Sequence, residues 1–278
     1  MLPPIVTVFC AFTRPEMVSR FIENLQAQTY HRGLMHLVFV VDGEYPGIVQ
    51  KLQDAFEGQG YRSVRVKANG DHEVSESKLK ERRARIAYVK NQSKIYIGMT
   101  DCQFVIGFED DTVFPSGQTI DRLLAPFVAY ADLGFVEGVQ CGRWGAKMIG
   151  AWAVEFEDSK PIKASTLKRE DKQEIITAGG FYGYATTKEL YMAHRYYSDP
   201  SEPWGPDVNF GIWLALTGIN SMILWDLEFG HALYDRVLWP DEDVGRVVFT
   251  LDKTTGYWQR RDYEDYRDNV GGISQGVK

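Results

Sequence analysis

The chain is poor in cysteine: three in 278 residues, Cys10, Cys102 and Cys141, odd in number, far apart and set in apolar or strand-like surroundings. That is not a disulfide framework but a pattern of buried free thiols in a reducing compartment, so a cytoplasmic location is expected. Long apolar runs are also missing. The richest, Ile212 to Leu227, is interrupted by Gly218, Asn220 and Ser221 and falls short of the roughly 20 residues that span a bilayer. Met1-Leu2-Pro3-Pro4 leads almost directly into a strand, and no secretion signal is read there. No transmembrane segment is expected. Positive charge is in deficit: 31 Lys and Arg against 38 Asp and Glu give a formal charge of -7, which argues against a nucleic-acid-coating module while leaving room for a local basic groove. Neither internal repeats nor low-complexity segments occur. What remains, 44% hydrophobic and 25% charged, suits one large domain or two small ones with ample core.

The chain is organised around Phe104-Val105-Ile106-Gly107-Phe108-Glu109-Asp110-Asp111. An apolar run of this kind reads as a strand buried on both faces, and it stops at three adjacent carboxylates. Adjacent anions repel, and desolvating them requires a compensating cation or donors. A divalent metal is one such cation, because hard ions take oxygen ligands and the carboxyl end of a strand in an open α/β sheet is where ligands sit. A solvated acidic turn is the plain alternative.

Around it, strands alternate with helices. Ile5 to Ala11 reads as a strand, Thr13-Arg14-Pro15 as a turn, and a helix follows with Met17, Phe21, Ile22 and Leu25 on one face. His36 to Val41 is a second strand ending at Asp42-Gly43; a helix over 46–56 and a strand over 63–66 come next. A polar loop over 68–77 leads to a long basic helix over 78–99, from which Arg82, Arg85 or Lys90 are candidates to face a phosphate. The pattern also predicts a helix over 120–130 and a strand over 133–140. This is the signature of βαβ units and a parallel sheet.

Beyond Cys141 the chain turns aromatic, with Trp144, Trp152, Trp204, Trp213, Trp225 and Trp239. A charged stretch over 155–174 reads as an exposed hairpin or loop. Gly179-Gly180-Phe181-Tyr182-Gly183-Tyr184 sets three glycines among aromatics, so that another backbone or a sugar ring can approach closely. Trp204-Gly205-Pro206-Asp207 precedes an apolar helix over 208–217, Gly218 stops it, and a strand over 221–225 and His231 follow.

In their order, these motifs resemble the GT-A fold glycosyltransferases, most nearly the inverting group of cellulose- and chitin-synthase-like, polysaccharide-elongating enzymes. The likeness runs from Ile5 to His231. It implies an α/β fold, GT-A-like and Rossmann-like, whose mostly parallel sheet is sandwiched by helices, with residues 1–141 as the donor-binding half, 142–261 as the aromatic-rich acceptor half of the same domain and 262–278 as a flexible tail. It further implies that Asp111, Glu109 and His231 hold Mn²⁺ or Mg²⁺ on the donor diphosphate, that Asp42 contacts the nucleotide base, and that Asp110, with Arg82, Arg85 and Lys90, completes the donor site. Asp207 is implied as general base, with Trp204, Gly180, Phe181 and Tyr182 on the acceptor side. This chain departs from the usual pattern at Glu109, where an Asp is usual, and at Pro206, where the family has an acid before Asp207.

The expected function is metal-dependent transfer of a sugar from a nucleotide-diphosphate donor, a UDP-sugar, to an acceptor hydroxyl. The acceptor stays open between a glycan, a lipid-linked sugar and a nucleic-acid base of DNA, with the net charge weighing against the last. Two alternatives remain: a nucleotidyltransferase, whose Gly-rich basic phosphate loop Phe12-Thr13-Arg14-Pro15 does not supply, and a non-catalytic carbohydrate-binding module with a structural metal.

Overall fold

Strand β1 (Val6–Phe12) is apolar at nearly every position and covered on both faces, as a central parallel strand must be. The computed structural model of the chain describes residues 3–43, 45–69, 79–140, 149–171, 173–199, 201–233, 236–240 and 247–262. After β1, Pro15 opens a 3-10 turn that feeds α1 (Val18–Gln26), which buries Val18, Phe21, Ile22 and Leu25. Then come β2 (Met35–Asp42), α2 (Pro46–Phe56), β3 (Ser63–Asn69), α3 (Leu79–Gly98) and β4 (Phe104–Glu109). Two-residue β5 (Thr112–Val113) precedes α4 (Thr119–Leu124) and α5 (Pro126–Ala129). The single helix expected over 120–130 is thus two, because Pro126 has no N–H to continue the ladder.

Strand β6 (Leu133–Val139) is followed by the hairpin β7 (Trp152–Glu157) and β8 (Lys160–Thr166), whose two-residue turn puts Asp158 and Ser159 at positive φ. The remaining elements are β9 (Ile175–Ile176), β10 (Gly183–Thr187), α6 (Lys188–Ala193), α7 (Pro206–Leu216), β11 (Asn220–Glu228), β12 (Gly230–Ala232), β13 (Val237–Leu238), β14 (Val247–Leu251) and β15 (Trp258–Asp262).

Eight strands form the main sheet in the order β3-β2-β1-β4-β10-β6-β11-β9, drawn from both sides of residue 141. Pairing is parallel from β3 to β4 and between β6 and β11, so the sheet is mostly parallel and flanked by helices. β10 runs antiparallel between β4 and β6. Its insertion explains the glycine of β4: Tyr184 lies opposite Gly107, where an added Cβ would come within 2.2 Å of the tyrosine ring. The hairpin β7–β8 continues through β14 and β15 into a separate four-stranded sheet, and β5, β12 and β13 make a third.

Two cores sit on opposite faces of the main sheet. Alternate residues of β1 divide between them, Val8, Cys10 and Phe12 packing with α1, α2 and α4, and Phe9 packing with α3, α6 and α7. The second core is largely aromatic: Phe135, Phe181, Tyr184, Tyr191, Tyr196 and Phe210 are all buried, with ring centroids 4.9 to 5.9 Å apart for several pairs. Cys10 and Cys102 are buried free thiols; Cys141, Trp144 and residues 263–278 lie outside the described residues. No helix among the described residues is long and apolar enough to cross a membrane.

Helix α7 is apolar on almost every side and presses Gly211 against the chain at Ala178, where a Cβ would sit 2.4 Å from the Ala178 Cα. Alanine is worth about 1 kcal/mol over glycine as a helix former. Overpacking against backbone costs about 1–3 kcal/mol and outweighs it where, as here, neither partner is a flexible side chain. Gly211→Ala is therefore expected to lower the free energy of unfolding in urea; a stabilised variant would show that α7 is free to move away from 177–178.

Candidate active site

Because β2, β1 and β4 are parallel neighbours, their carboxyl ends lie side by side along one edge of the sheet, with Phe12 opposite Val41 and Ala11 opposite Glu109. That edge brings together Asp42 from β2, Thr13 and Arg14 from the turn after β1, and the acidic turn after β4. Asp42 is 2% exposed and is bound by Arg85 of α3, which reaches its side chain through Nε and its carbonyl through Nη2 at 3.2 Å. Arg85 therefore meets an acid in the folded chain.

The acidic turn is closed around Arg14. Its guanidinium bridges Asp110 and Asp111, one nitrogen to each carboxylate. Asp110 Oδ2 also accepts the backbone N–H groups of Thr13 at 2.7 Å and Arg14 at 2.9 Å, and the Thr13 hydroxyl at 3.2 Å. His231 Nε2 lies 2.8 Å from Asp111 Oδ2, held there because β12 pairs with β5 and the Ala232 N–H bonds the Asp111 carbonyl at 2.8 Å. Burial alone would lower the pKa of Arg14, but its two carboxylate partners outweigh this and hold it above its ordinary value. Glu109 is half-buried, its N–H bonded to the Tyr182 carbonyl at 3.2 Å.

Asp207 lies in the first turn of α7, one residue inside the helix, while Gly205 takes the N-cap position. Burial pushes its carboxyl pKa up; the N–H of Val208 and the charges of Arg83 and Lys90 oppose the rise. Glu137 of β6 is an unforeseen neighbour. It is 1% exposed and raised well above the usual carboxylate range by burial and by the charge of Asp207, and its Oε2 has no partner among the described residues. Gly179 is glycine because its Cβ would fall 2.2 Å from that carboxyl group. An acid inside an otherwise apolar strand was the available signal. Arg83 was likewise overlooked among the basic residues of α3: it binds the carbonyls of Glu202 at 3.4 Å and Pro203 at 2.6 Å and so fixes the approach to Asp207.

Lys90 does not face an open phosphate site. Its ammonium is enclosed by the rings of Phe181 at 3.7 Å, Tyr184 at 5.0 Å and Phe9 at 5.5 Å and donates to the Tyr184 hydroxyl at 3.1 Å. Trp204 and Phe181 are 2% and 3% exposed. The Trp204 indole N–H bonds Asn209 at 2.8 Å and its ring meets Trp258, so both residues are walls without an open face. Tyr182 is half-buried, and Gly180 leaves room for its ring. The side chain of Arg82 lies outside the described residues. Exposed rings occur instead in a groove of about 790 Å³ between α3 and α7, lined by Tyr88, His194, Tyr197 and Trp213 among others.

Asp110, Asp111 and His231 are donor types that a divalent cation accepts. As folded, the two aspartates close on Arg14 and His231 lies against Asp111, and among the described residues no three His, Cys, Asp or Glu side chains converge as a metal cage. The arrangement does not fit a resident metal as it stands.

The fold is a mixed α/β one, a large and mostly parallel sheet flanked by helices, with GT-A-like topology. No family model matches the chain and no curated protein matches it. Among solved structures, the mannosyltransferase PcManGT from Pyrobaculum calidifontis, in complex with GDP-Man and Mn²⁺, is similar with a TM-score of 0.55 at 15% identity, over 81% of this chain and 56% of its own. This chain thus spans little more than half the length of that enzyme. A197 from STIV (TM-score 0.44, 12% identity, 85% of this chain and 91% of its own) and a CMP:2-keto-3-deoxy-manno-octonic acid synthetase complexed with CTP (0.45, 12%, 82% and 92%) are more distant. At such identities the likeness is one of fold, and it does not reach the cellulose- and chitin-synthase-like group.

Burial brings Lys90 from 10.5 to about 7, against the attraction of Glu109 and Asp207. The unfolded chain holds that proton up to about pH 10.4, so between pH 7 and 10 it binds more protons than the native state, and stability rises with pH by up to about 1.4 kcal/mol per unit. Lys90→Met should be the more stable protein at pH 6, with the gap narrowing towards pH 9 in urea unfolding. A gap independent of pH would mean that Lys90 stays charged in the native state throughout.

Proposed function

We propose that this chain is a glycosyltransferase that takes its sugar from a nucleoside-diphosphate donor. The observation that carries the reading is the gathering of Asp42, Arg14 and the Glu109–Asp111 turn on one edge of the sheet, where an α/β fold binds nucleotides, together with an acid of raised pKa at the start of α7. The Asp42–Arg85 pair is the polar patch for the base. The diphosphate lies toward Arg14 and the acidic turn.

Asp207 is the general base. Its carboxylate takes the proton of the acceptor hydroxyl while that oxygen attacks the anomeric carbon and the bond to the diphosphate breaks with inversion. Burial and the charge of Asp207 push the Glu137 carboxyl up, while the charges of Arg83 and Lys90 favour the ionised form of Asp207. A divalent cation, Mn²⁺ or Mg²⁺, would neutralise charge on the leaving diphosphate, but Asp110 and Asp111 are closed on Arg14. The acceptor is a sugar hydroxyl, and the exposed Tyr88 and Tyr197 beside the α3–α7 groove offer the rings on which a pyranose stacks. A net charge of -7 disfavours DNA as that acceptor.

The test is calorimetric binding of UDP, GDP and CDP to the wild-type protein and to Asp207→Asn, paired with a sugar-transfer and donor-hydrolysis assay. Asp207→Asn is expected to bind the preferred nucleotide as the wild type does and to lose about 10²- to 10⁴-fold in turnover, the share a positioned base supplies. Full turnover would remove Asp207 from the mechanism. Binding of none of the three nucleotides would remove the transferase reading altogether.

A further inference from the structure

Helices α3 and α7 pack side by side and leave the groove of about 790 Å³ between them. The residues that α7 gives to it, Asn209, Ile212, Trp213 and Leu216, recur at helical spacing and form one face of that helix. The first of them comes two residues after Asp207. At about 1.5 Å of rise per residue, the last lies about 14 Å along the axis from that acid. The groove therefore starts within a turn of Asp207 and runs away from it.

The loop that lines its other side is pinned to α3. Asn91 bonds the backbone of Tyr196 twice, its amide donating to the carbonyl at 2.7 Å and its oxygen accepting the N–H at 3.1 Å. Lys94 donates to the carbonyls of Met192 and His194. On this fixed loop His194 is 4% exposed and set among rings, 5.0 Å from Tyr196 and 5.1 Å from both Phe210 and Trp213. It lines the groove, yet its Nε2 has no hydrogen-bond partner among the described residues. Buried polar atoms are nearly always paired, so an open one in the wall of a groove marks a place for a ligand.

The groove's chemistry narrows the kind of ligand. Burial and the charge of Lys94 bring the His194 pKa down to about 4, so at neutral pH one ring nitrogen donates and the other accepts. A hydroxyl pairs with Nε2 in either tautomer because it does both, whereas a carboxylate pairs in only one. Charge on the ligand gains nothing: Arg195 is exposed on the lining, and the charges of Asp199 and Glu202 bear on Tyr197. Tyr88 and Tyr197, 37% and 47% exposed, add flat apolar faces. An uncharged ligand with hydroxyls on its rim and an apolar face is a pyranose.

We propose that the α3–α7 groove is a saccharide-binding subsite, in which His194 Nε2 pairs with a hydroxyl of a sugar unit that does not itself react. As part of an acceptor site this rests on the transferase reading above. It deepens that reading, because the acceptor is then an oligosaccharide with its reacting unit at Asp207 and its next unit in the groove.

The experiment titrates uncharged saccharides calorimetrically, without nucleotide, into wild type, His194→Phe and Tyr197→Ala. The probes are glucose, mannose, galactose and N-acetylglucosamine, each with its own disaccharides. At least one disaccharide is expected to bind, and to bind on the order of tenfold more tightly than its monosaccharide. His194→Phe keeps the ring and removes the nitrogen, so it should weaken that binding by on the order of tenfold. Tyr197→Ala, at an exposed position, should weaken it by a similar factor, and it carries the comparison if His194→Phe does not fold by circular dichroism. Disaccharide binding as tight in the folded variants as in wild type would put the saccharide elsewhere and overturn the proposal. If no saccharide binds while UDP, GDP or CDP does, the groove assignment falls and the transferase reading stands. If a disaccharide binds in the expected pattern and no nucleotide does, the groove assignment stands and the transferase reading falls.

Discussion

Two carboxylates almost without solvent contact, joined by one guanidinium, are the constraint on which the candidate site depends. Leaving either acid without its partner would cost about 3–5 kcal/mol, a large fraction of a domain's stability. Everything nearby serves to keep those charges answered. The parallel register of β1 and β4 delivers the Thr13–Arg14 turn to the acids, and the short ladder between β5 and β12 delivers His231 from the far end of the chain. The third sheet is small, yet it joins His231 to the acids.

The opposite side of the site is built on enclosure. Lys90, Glu137 and Asp207 are ionisable groups set within or against the aromatic second core, where burial moves each from its ordinary pKa and each one's charge bears on a neighbour. A lysine among rings and two buried acids form a set whose charges bear on one another. Phe181 and Tyr184, which look like part of a sugar platform in the sequence, are spent on that enclosure, whereas Tyr88 and Tyr197 on the α3–α7 groove remain open.

The parallel half of the sheet was legible because β1, β2 and β4 are almost wholly apolar runs, β3 alternates apolar and polar residues, and acids close β2 and β4. Asp42 and Asp110 fell where a strand-end rule puts them. Arg14 did not stand out, because a turn residue after β1 acquires meaning only once β4 lies next to it, and no local pattern states that neighbour. Glu137 and Arg83 hid for opposite reasons, the first as a single acid in an apolar strand and the second as one basic residue among many on α3. Lys90 was singled out for its charge, but whether a helical lysine points to solvent or to the core depends on what packs above it. β10 escaped because it is only five residues long and Gly183 and Ala185 dilute the strand preference of Tyr184 and the two threonines; its place is set by pairing on both sides.

That strand has a consequence for how the chain reaches this state. β4 and β6 are made early but do not touch; each presents an open edge until β10, some fifty residues later, slides between them. Until then two apolar strands offer unpaired N–H and C=O groups to any other chain. The central seam of the sheet closes through contacts of long sequence separation, which form slowly. Assembly at the middle of the sheet is therefore late, and the period before it is when this protein is most exposed to mispairing.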